Sequence, residues 1–335
     1  IIFWKNEKTL LHIANLTCWN DINYSISESG AVKLESLIKN PIKRIISNKL
    51  INIVLRFLLK PFSSIIPNWI RNRIPIIGIS SFKLPNGKKL YICSDRNSDG
   101  ILNIIYWDGL FAYEGSTTQL FISMLKYTDT VIDIGAYTGF YSLIAAIDNP
   151  NRNVFAFEPV PMTFSFLSRN LEINGLKNLQ INSSAISNFD GTIKLFLPQE
   201  NLPTSASTLE GFRDCSEEIT VQAITIDSFV KQNNILKVDL LKIDTEATEH
   251  LVLEGARNVI KRDEPIIISE VLSGRTEQKL HSVLDNFGYK YYLISDYGLI
   301  KKEKIEGDKT YKYRDYLFIT DKRFLQTKEL ENQVL

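Results

Sequence analysis

The segment Val131–Tyr141 contains residues suited to binding a small ligand, with the sequence Val-Ile-Asp-Ile-Gly-Ala-Tyr-Thr-Gly-Phe-Tyr. Gly135 and Gly139 allow a sharp strand-to-helix turn and the close approach of a ligand. A pyrophosphate-binding loop carries Gly-x-Gly-x-x-Gly. Here the spacing is Gly-x-x-x-Gly, and Asp133 would repel a phosphate. The loop is either an ordinary strand-to-helix turn or a binding site. As a binding site it favours a ligand with a cationic end, such as the amino and sulfonium groups of S-adenosylmethionine.

A second carboxylate stands at the end of the next apolar run. Glu158 follows Val154–Phe157, about twenty residues after the glycine loop, where a carboxylate can accept hydrogen bonds from both hydroxyls of a ribose. Pro159 and Pro161 come directly afterwards and shape the start of a helix. This offset favours a role for Glu158 in binding a nucleoside-type ligand over the alternative that it is an ordinary surface glutamate.

Two further segments are candidates for completing the binding site. Ser184 and Ala185 follow the third apolar run, where small side chains and backbone could reach an adenine edge; a solvent-facing loop is an equal alternative. Asp108 and Glu114 precede the first run. Both are candidates for closing the mouth of the cofactor site, and Glu114 is the one assigned to cofactor binding.

Acidic residues after the fourth and fifth apolar runs are candidates for the chemical step. Asp244, Glu246 and His250 follow the fourth run, and Glu270 follows the fifth. A positioned base assists attack by a weakly nucleophilic hydroxyl. Asp244 is the first choice, with a helix N-cap as its alternative role; Glu246 would fix acceptor hydroxyls, and the imidazole of His250 suits base work or lies on a solvated face. Two carboxylates without further visible ligands do not predict a metal.

Short apolar runs that alternate with helical segments predict the scaffold for these residues, an open and mostly parallel α/β sheet. The predicted parallel strands are Val131–Ile134, Val154–Phe157, Leu179–Ser183, Leu240–Ile243 and Ile266–Ser269. The predicted helices cover 139–148, 161–174, 247–261 and 275–287. Extra strands are expected over 191–197 and 218–224, and a closing antiparallel hairpin over Tyr289–Ile294 and Tyr313–Ile319.

A separate hairpin is predicted upstream of this sheet. Asn86-Gly87 supplies the two positive φ angles of a tight turn between Ser81–Leu84 and Lys88–Ile92. The chain is accordingly divided into a basic, partly helical extension (1–78), a hairpin and helix leading into the core (79–127) and the ligand-binding domain (128–335).

The N-terminal part is locally basic, since no acidic residue occurs between Glu35 and Asp95. Residues 42–60 predict an amphipathic helix ended by Pro61. Its apolar stripe holds Ile46, Leu50, Ile53, Val54, Phe57 and Leu58, and its polar stripe holds Lys49, Asn52, Arg56 and Lys60. Two roles stay open: peripheral contact with an anionic membrane surface, or packing of the apolar stripe on the main domain or a partner subunit.

Composition restricts the remaining classes. A net charge of +1 over 335 residues argues against binding nucleic acid by bulk charge. Three scattered cysteines without a Cys-x-x-Cys pair argue against a disulfide framework and for a reducing compartment. Without a long uncharged apolar stretch or a signal-peptide pattern, the chain is expected in the cytoplasm, with peripheral contact at the inner membrane face as an option.

Between about residues 106 and 275 the sequence resembles the FkbM-type class I methyltransferases. The motifs that carry the resemblance are Tyr113-Glu114, Asp133–Gly139, Phe157–Pro161, Leu171–Gly175, Ala185–Ser187, Lys242–Glu246, Leu253–Ala256 and Pro265–Glu270. The resemblance implies a Rossmann-like fold and O-methylation of a hydroxyl, often on a sugar or another polar natural product, with S-adenosylmethionine as methyl donor.

Carried over by position, the resemblance assigns most of the binding residues. It implies a methionine end lined by Asp133, Gly135, Ala136 and Gly139, with Tyr137 and Thr138 in the same loop, a ribose at Glu158, and an adenine at Ser184 and Ala185. Two positions depart from the family pattern. Tyr137 stands where the family usually has Asn, and Ala247 where it usually has Gly.

Several functions therefore remain open at the level of sequence. The main prediction is an S-adenosylmethionine-dependent O-methyltransferase acting on a small-molecule, glycan or glycolipid acceptor. The alternatives are an NAD-dependent oxidoreductase, a nucleic-acid methyltransferase or binding module, and a non-catalytic relative that kept the fold. The sequence does not indicate the oligomeric state.

Overall fold

The structure is a computed structural model and describes residues 48–95, 99–198, 207–208, 215–327, 330 and 333–335. The helices are α1 (Lys49–Leu59), α2 (Asn68–Arg71), α3 (Gly100–Asp108), α4 (Gly115–Met124), α5 (Phe140–Asp148), α6 (Pro161–Asn174), α7 (Ile226–Gln232), α8 (Glu249–Glu254), α9 (Arg257–Asp263), α10 (Glu277–Leu284) and α11 (Asp321–Gln326). The strands are β1 (Gly78–Lys83), β2 (Lys89–Ser94), β3 (Thr130–Ile134), β4 (Asn153–Phe157), β5 (Leu179–Asn182), β6 (Ala185–Ile186), β7 (Gly191–Pro198), β8 (Cys215–Ile224), β9 (Leu240–Ile243), β10 (Ile266–Glu270), β11 (Tyr289–Ser295), β12 (Gly298–Lys302) and β13 (Asp315–Thr320).

The central sheet has eight strands in the order β12-β11-β13-β10-β9-β3-β4-β5. Strands β10, β9, β3, β4 and β5 run parallel, and β13 joins β10 in antiparallel orientation. The chain winds from β3 toward β5 and then returns to place β9 on the other side of β3. A ligand-binding crevice is expected at such a switch point, outside the carboxyl ends of the strands. The predicted mostly parallel α/β sheet is confirmed.

The parallel strands are buried on both faces, as their apolar runs predicted. All five residues of β3 are buried. Val131 packs into the core on one face, and Ile132 and Ile134 pack into the core on the other. Side chains alternate between the two faces of a strand, so helices must cover both faces of this sheet.

The predicted closing hairpin forms, with one addition. β11 and β13 pair antiparallel, with Tyr291 opposite Phe318. The intervening segment contributes β12, which pairs with the other edge of β11. The extra strands β7 and β8 also form, but they build a separate three-stranded sheet with β6. The upstream hairpin is confirmed as β1 and β2 around Asn86-Gly87.

The single helix predicted over 247–261 is wrong. The segment divides into α8 and α9, with Gly255 between them. A Cβ atom on Gly255 would lie 2.1 Å from the carbonyl oxygen of Ser187, so the backbones approach too closely for a larger residue. Glu249 and His250, at the start of α8, are buried, so the alternative of a solvated face for His250 is also wrong.

Helix α1 is confirmed over Lys49–Leu59, while residues 42–47 of its predicted span lie outside the described residues. The orientation of α1 does not match the alternative in which its apolar stripe packs on the main domain. Asn52 and Arg56 of the polar stripe are buried, and most of the apolar stripe is exposed. Within the described residues, no helix has the length and apolarity that crossing a bilayer requires.

Candidate active site

A cavity of about 320 Å³ opens at the switch point, beside the carboxyl ends of β3, β4, β9 and β10. Carboxylate side chains are prominent in its lining: Glu114, Asp133, Glu158, Asp244, Glu246 and Glu270. Aromatic and aliphatic side chains of α3 and α5 complete the wall, among them Ile101, Ile104 and Phe140. The site is therefore an acidic crevice with one apolar side.

The glycine loop lies between β3 and α5 and is tied to the neighbouring strands. The N–H groups of Gly135 and Ala136 both donate to the carbonyl of Phe157, each at 3.0 Å. Gly135 has a φ of 78°, and a Cβ atom there would lie 1.8 Å from the carbonyl oxygen of Asp244. Only glycine fits this position, because the backbone of the loop after β9 approaches it directly.

Glu158 closes the next side of the cavity and is almost fully buried. Its Oε2 accepts a hydrogen bond from the N–H of Tyr137 at 2.9 Å, and its Oε1 accepts from the N–H of Val160 at 2.9 Å. Burial raises the pKa of Glu158 to about 8, against the effect of these two backbone donors. Each carboxylate oxygen keeps a lone pair for a ligand hydroxyl.

Asp133 lies beneath the glycine loop, at the base of the cavity. It is buried at the end of β3, and the hydroxyl of Ser142 on α5 donates to its Oδ2. Burial raises the pKa of Asp133 to about 6, with the Ser142 hydrogen bond opposing the shift. A buried carboxylate in this position favours a cationic neighbour over an anionic one.

A buried lysine, missed as a site residue in the sequence analysis, lies among these carboxylates. Lys242 on β9 is 1% exposed, and its Nζ lies 3.5 Å from Asp315 and 3.6 Å from Asp244. Burial alone would lower its pKa, but Asp315, Asp244, Glu114 and Asp133 outweigh burial and raise it above the ordinary value. Lys242 therefore remains charged and holds the cluster together. The sequence does indicate this residue, because Lys242 is the one charged residue in the otherwise apolar strand β9.

Glu114 lines the cavity and contacts Tyr141 of α5. Its backbone adopts a left-handed conformation with a φ of 43°, immediately before α4. The hydroxyl of Tyr141 donates to its Oε2 at 2.6 Å. Burial, followed by repulsion from Asp315, raises the pKa of Glu114 to about 7, although Lys242 opposes the shift.

The loop between β9 and α8 is organised by a buried glutamate that the sequence analysis did not assign to the site. Oε1 of Glu249 accepts from the N–H and hydroxyl of Thr245 at 3.1 and 3.2 Å and from the N–H of Ala247 at 3.1 Å. Glu246 and Ala247 both have positive φ, at 54° and 76°. The loop therefore keeps the left-handed conformation that the family glycine would favour.

Glu270 and Arg314 form the wall next to Asp244. The guanidinium of Arg314 donates to Oε1 of Glu270 at 2.9 Å, and Arg314 remains partly exposed toward the cavity. Burial and the carboxylates of Asp244, Glu246 and Glu249 raise the pKa of Glu270, while Arg314 opposes them. This pair places a guanidinium at the rim of an otherwise acidic site.

The structure brings most of the predicted site residues to this cavity. Its lining includes Glu114, Asp133, Gly135, Ala136, Tyr137, Glu158, Pro159, Ser184, Ala185, Asp244 and Glu246. Thr138, Gly139 and His250 lie outside the lining. The hydroxyl of Thr138 donates at 2.9 Å to Asp99, the residue that caps α3, so Thr138 connects the glycine loop to the cavity wall. Gly139 packs against Leu167.

His250 has a buried imidazole behind the loop that carries Asp244. Burial lowers its pKa, and its Nδ1 has no hydrogen-bond partner among the described residues. The roles of all these residues in binding and catalysis stay predictions. Within the described part of the chain, no three His, Cys, Asp or Glu side chains group as a metal site would require.

The strand order, the switch-point cavity and the glycine loop define a class I methyltransferase fold. Residues 133–291 match the methyltransferase FkbM domain. This agrees with the resemblance that the sequence motifs indicated, and it favours a methyltransferase over a dehydrogenase.

Similar proteins include two with described activities. The 31-O-demethyl-FK506 methyltransferase FkbM of Streptomyces tacrolimicus is 25% identical over 207 residues, which cover 54% of this chain and 76% of that protein. The hexuronic acid methyltransferase AglP of Haloferax volcanii is 27% identical over 157 residues, covering 46% of this chain and 61% of that protein. A methyltransferase FkbM structure from Methylobacillus flagellatus aligns with a TM-score of 0.39 and 13% identity, covering 67% of this chain and 56% of that chain.

Proposed function

We propose that this chain is an S-adenosylmethionine-dependent O-methyltransferase that acts on a hydroxyl of a sugar, a glycolipid or a similar polar natural product. The observation that carries the proposal is the acidic cavity at the switch point, where Asp133, Glu158 and Asp244 surround the glycine loop. From these residues, we place the methionine end of the cofactor at Asp133 and Gly135 and the ribose at Glu158.

The chemistry of the donors fits this cofactor. S-adenosylmethionine supplies a methyl group that is activated by a positively charged sulfur. Carboxylates near the loop complement the sulfonium and amino charges, and a phosphate would be repelled by the same groups. Glu158 already bonds two backbone N–H groups and keeps acceptor capacity for a vicinal diol. The small side chains of Ser184 and Ala185 leave room beside them for a flat base.

We assign Asp244 as the base that accepts the proton of the acceptor hydroxyl. Its side chain is 28% exposed at the cavity, and it lies next to Lys242 rather than in an apolar wall. A sugar hydroxyl is a weak nucleophile, so a carboxylate that accepts its proton as the C–O bond forms is worth about 10²- to 10⁴-fold in rate. Glu246 lies on the same loop and is assigned to acceptor hydroxyls. His250 would act only through this loop, as a positioning residue.

Arg314 supports an acidic acceptor. It lines the cavity beside Asp244 and carries a partly exposed guanidinium, a group that pairs with carboxylates. The similarity to a hexuronic acid methyltransferase supports the same class of sugar. A cytoplasmic location, suggested by the scattered cysteines, belongs to this proposal.

Calorimetry with S-adenosylhomocysteine tests the cofactor assignment. We expect the unmodified protein to bind with micromolar affinity, about 8 kcal/mol, and NAD to give no heat. Glu158→Gln should weaken binding at least about tenfold because an NH₂ donor replaces one of the two oxygens that would accept from the ribose hydroxyls. Glu172→Gln, at an exposed position on α6, is the matched control and should change nothing. NAD binding, or equal affinity in both variants, would contradict the assignment.

Transfer of a labelled methyl group tests the acceptor class. Methyl glucuronide is expected to accept the label in preference to methyl glucoside, in a product that resists mild alkali because the new bond is an ether. A product that mild alkali hydrolyses would place the methyl group on the carboxylate. No transfer to sugar hydroxyls of either kind would remove the sugar from the proposal.

A further inference from the structure

Helix α1 exposes most of its apolar residues, although Leu55 and Leu59 pack against the core, and it turns two polar residues toward the protein. Leu50 is 75% exposed and Phe57 is 77% exposed, and Ile51, Ile53, Val54 and Leu58 are exposed beside them. The opposite face holds Asn52 and Arg56, which are buried. A helix on the surface of a globular protein ordinarily has the reverse arrangement.

Specific polar contacts fix this orientation. The side-chain amide of Asn52 donates to the carbonyl of Pro75 at 2.8 Å, and Arg56 donates to Asn52 at 2.7 Å and to the carbonyl of Ile77 at 2.6 Å. Lys60, directly after the helix, donates to the carbonyl of Trp107 at 3.1 Å. Rotating α1 to bury its apolar stripe would break these bonds and leave buried carbonyls without donors. The outward apolar face is therefore part of the fold.

The surrounding sequence is basic and continues the apolar character. Phe62, Ile65 and Trp69 follow the helix with exposed side chains. From Asn48 to Ser94 the chain has no acidic residue. Its exposed basic residues in this stretch are Lys49, Arg73, Lys83, Lys88 and Lys89.

We propose that the exposed face of α1 docks onto an anionic lipid bilayer. Apolar side chains on a helix lying parallel to the bilayer surface, with Lys49 on the helix and Arg73 against the exposed Trp69, match the interfacial helices that insert into the headgroup region. A second copy of this chain fits less well, because a symmetric contact would oppose the same basic residues across the interface. The sequence predicts either this role or packing of the apolar stripe on the main domain or a partner subunit, and the buried polar face favours the membrane.

Docking in this way would bring the cavity close to the bilayer. Lys60 is bonded to the C-terminal part of α3 at Trp107, and Ile101 and Ile104 of the same helix line the cavity. Three residues of helix between Ile104 and Trp107 span only about 4.5 Å along its axis. The segment proposed to contact the bilayer is therefore bonded directly to a helix that lines the active site. The proposal goes beyond methyl transfer and does not depend on it.

Co-sedimentation of the full chain with vesicles tests the proposal. We expect binding to vesicles of equal parts phosphatidylglycerol and phosphatidylcholine and at least about tenfold weaker binding to phosphatidylcholine alone. The variant with Leu50→Glu and Phe57→Glu should lose binding to both. The control with Leu236→Glu and Leu325→Glu changes two leucines that are 91% and 70% exposed elsewhere, by the same charge, and should bind like the unmodified protein.

Three results would overturn the proposal. One is the absence of vesicle binding by the unmodified protein. Another is equal binding by the two double variants, which would show that this face is not involved. The third is a dimer in light scattering that the Leu50/Phe57 variant dissociates while no vesicle binding is seen, which would assign the face to self-association. Thermal melts of both double variants show whether each is folded, so that a loss of binding can be separated from a loss of structure.

Discussion

The carbonyl oxygen of Asp244 lies where a side chain on Gly135 would begin, 1.8 Å from the position that its Cβ atom would take. The two residues directly follow the neighbouring strands β3 and β9, and the N–H of Asp244 donates to the carbonyl of Ile134 at 2.9 Å. The cofactor loop and the proposed catalytic loop are therefore held in direct backbone contact. A change in one of them must move the other.

Gly135→Ala should destabilise the protein strongly. The methyl group would collide with a backbone carbonyl, and the residue would also be held at a φ of 78°. We expect a loss of at least about 3 kcal/mol in the free energy of unfolding, since backbone cannot shift as a flexible side chain can. Gly175→Ala is the control. Its φ of 62° is also left-handed, but nothing lies within 4 Å of a Cβ there, so we expect about 1 kcal/mol. Equal costs in denaturant unfolding would disprove the close approach.

Lys242→Met tests the buried cation. Removal of the ammonium leaves Asp315, Asp244 and Glu114 without their shared counter-charge in a buried site. Breaking one side of a buried ion pair typically costs about 3–5 kcal/mol, so unfolding should occur at much lower denaturant concentration. Lys194→Met, in an exposed pair with Glu218, should cost less than about 1 kcal/mol.

A double variant shows whether the stability lost in Lys242→Met comes from electrostatics or from side-chain packing. Lys242→Met with Asp315→Asn removes one of the repelling carboxylates, and it should recover part of the lost stability. If the double variant is as unstable as the sum of the single changes, the loss arises from packing around the side chain and not from electrostatics.

The sequence allowed most of the fold to be predicted because its signals are local. Buried parallel strands require unbroken apolar runs, and the predicted β9 over Leu240–Ile243 has the observed limits. The same holds for the cavity residues at strand ends, since parallel strands end at one edge of the sheet. The break at Gly255 was not predictable in this way, because it depends on the approach of Ser187 from a distant strand.

The orientation of α1 and the backbone conformation of Tyr137 and Ala247 could not be predicted from local sequence patterns either. Periodicity identifies an apolar stripe but assumes that it faces the core, whereas the contacts of Asn52 and Arg56 reverse it. Tyr137 has a φ of 52° and Ala247 a φ of 76°. Asn and Gly accept this left-handed region more readily than other residues, which explains the family preference at both positions.

The pH dependence of stability should reveal Glu158. Its pKa is raised from 4.5 to about 8 in the folded protein, so the folded state binds the proton more tightly than the unfolded chain. Its contribution to stability is complete below pH 4.5 and is lost as the pH rises through 8. The carboxyl of Glu158 should therefore contribute a fall of roughly 1 kcal/mol per pH unit in the free energy of unfolding across this window, in addition to the contributions of Glu114 and Asp133, whose pKa values are also raised.

Denaturant unfolding between about pH 5 and 8.5, without cofactor, measures this slope. Glu158→Gln cannot titrate, so its curve should be flatter than that of the unmodified protein, whatever its absolute stability. Glu172→Gln should keep the original slope. A slope that is unchanged in Glu158→Gln would show that the carboxyl of Glu158 titrates normally.

Asp244→Asn separates binding from chemistry. The amide keeps the size of the side chain and its place at the cavity, so affinity for S-adenosylhomocysteine should stay within a few-fold. It cannot accept the proton of an acceptor hydroxyl, so the rate of methyl transfer should fall by about 10²- to 10⁴-fold. Single-turnover transfer to an acceptor that the unmodified protein methylates measures the rate, and calorimetry measures the affinity. Unchanged turnover would remove Asp244 from the reaction and direct attention to Glu246 and Glu270, the other carboxylates of the same wall.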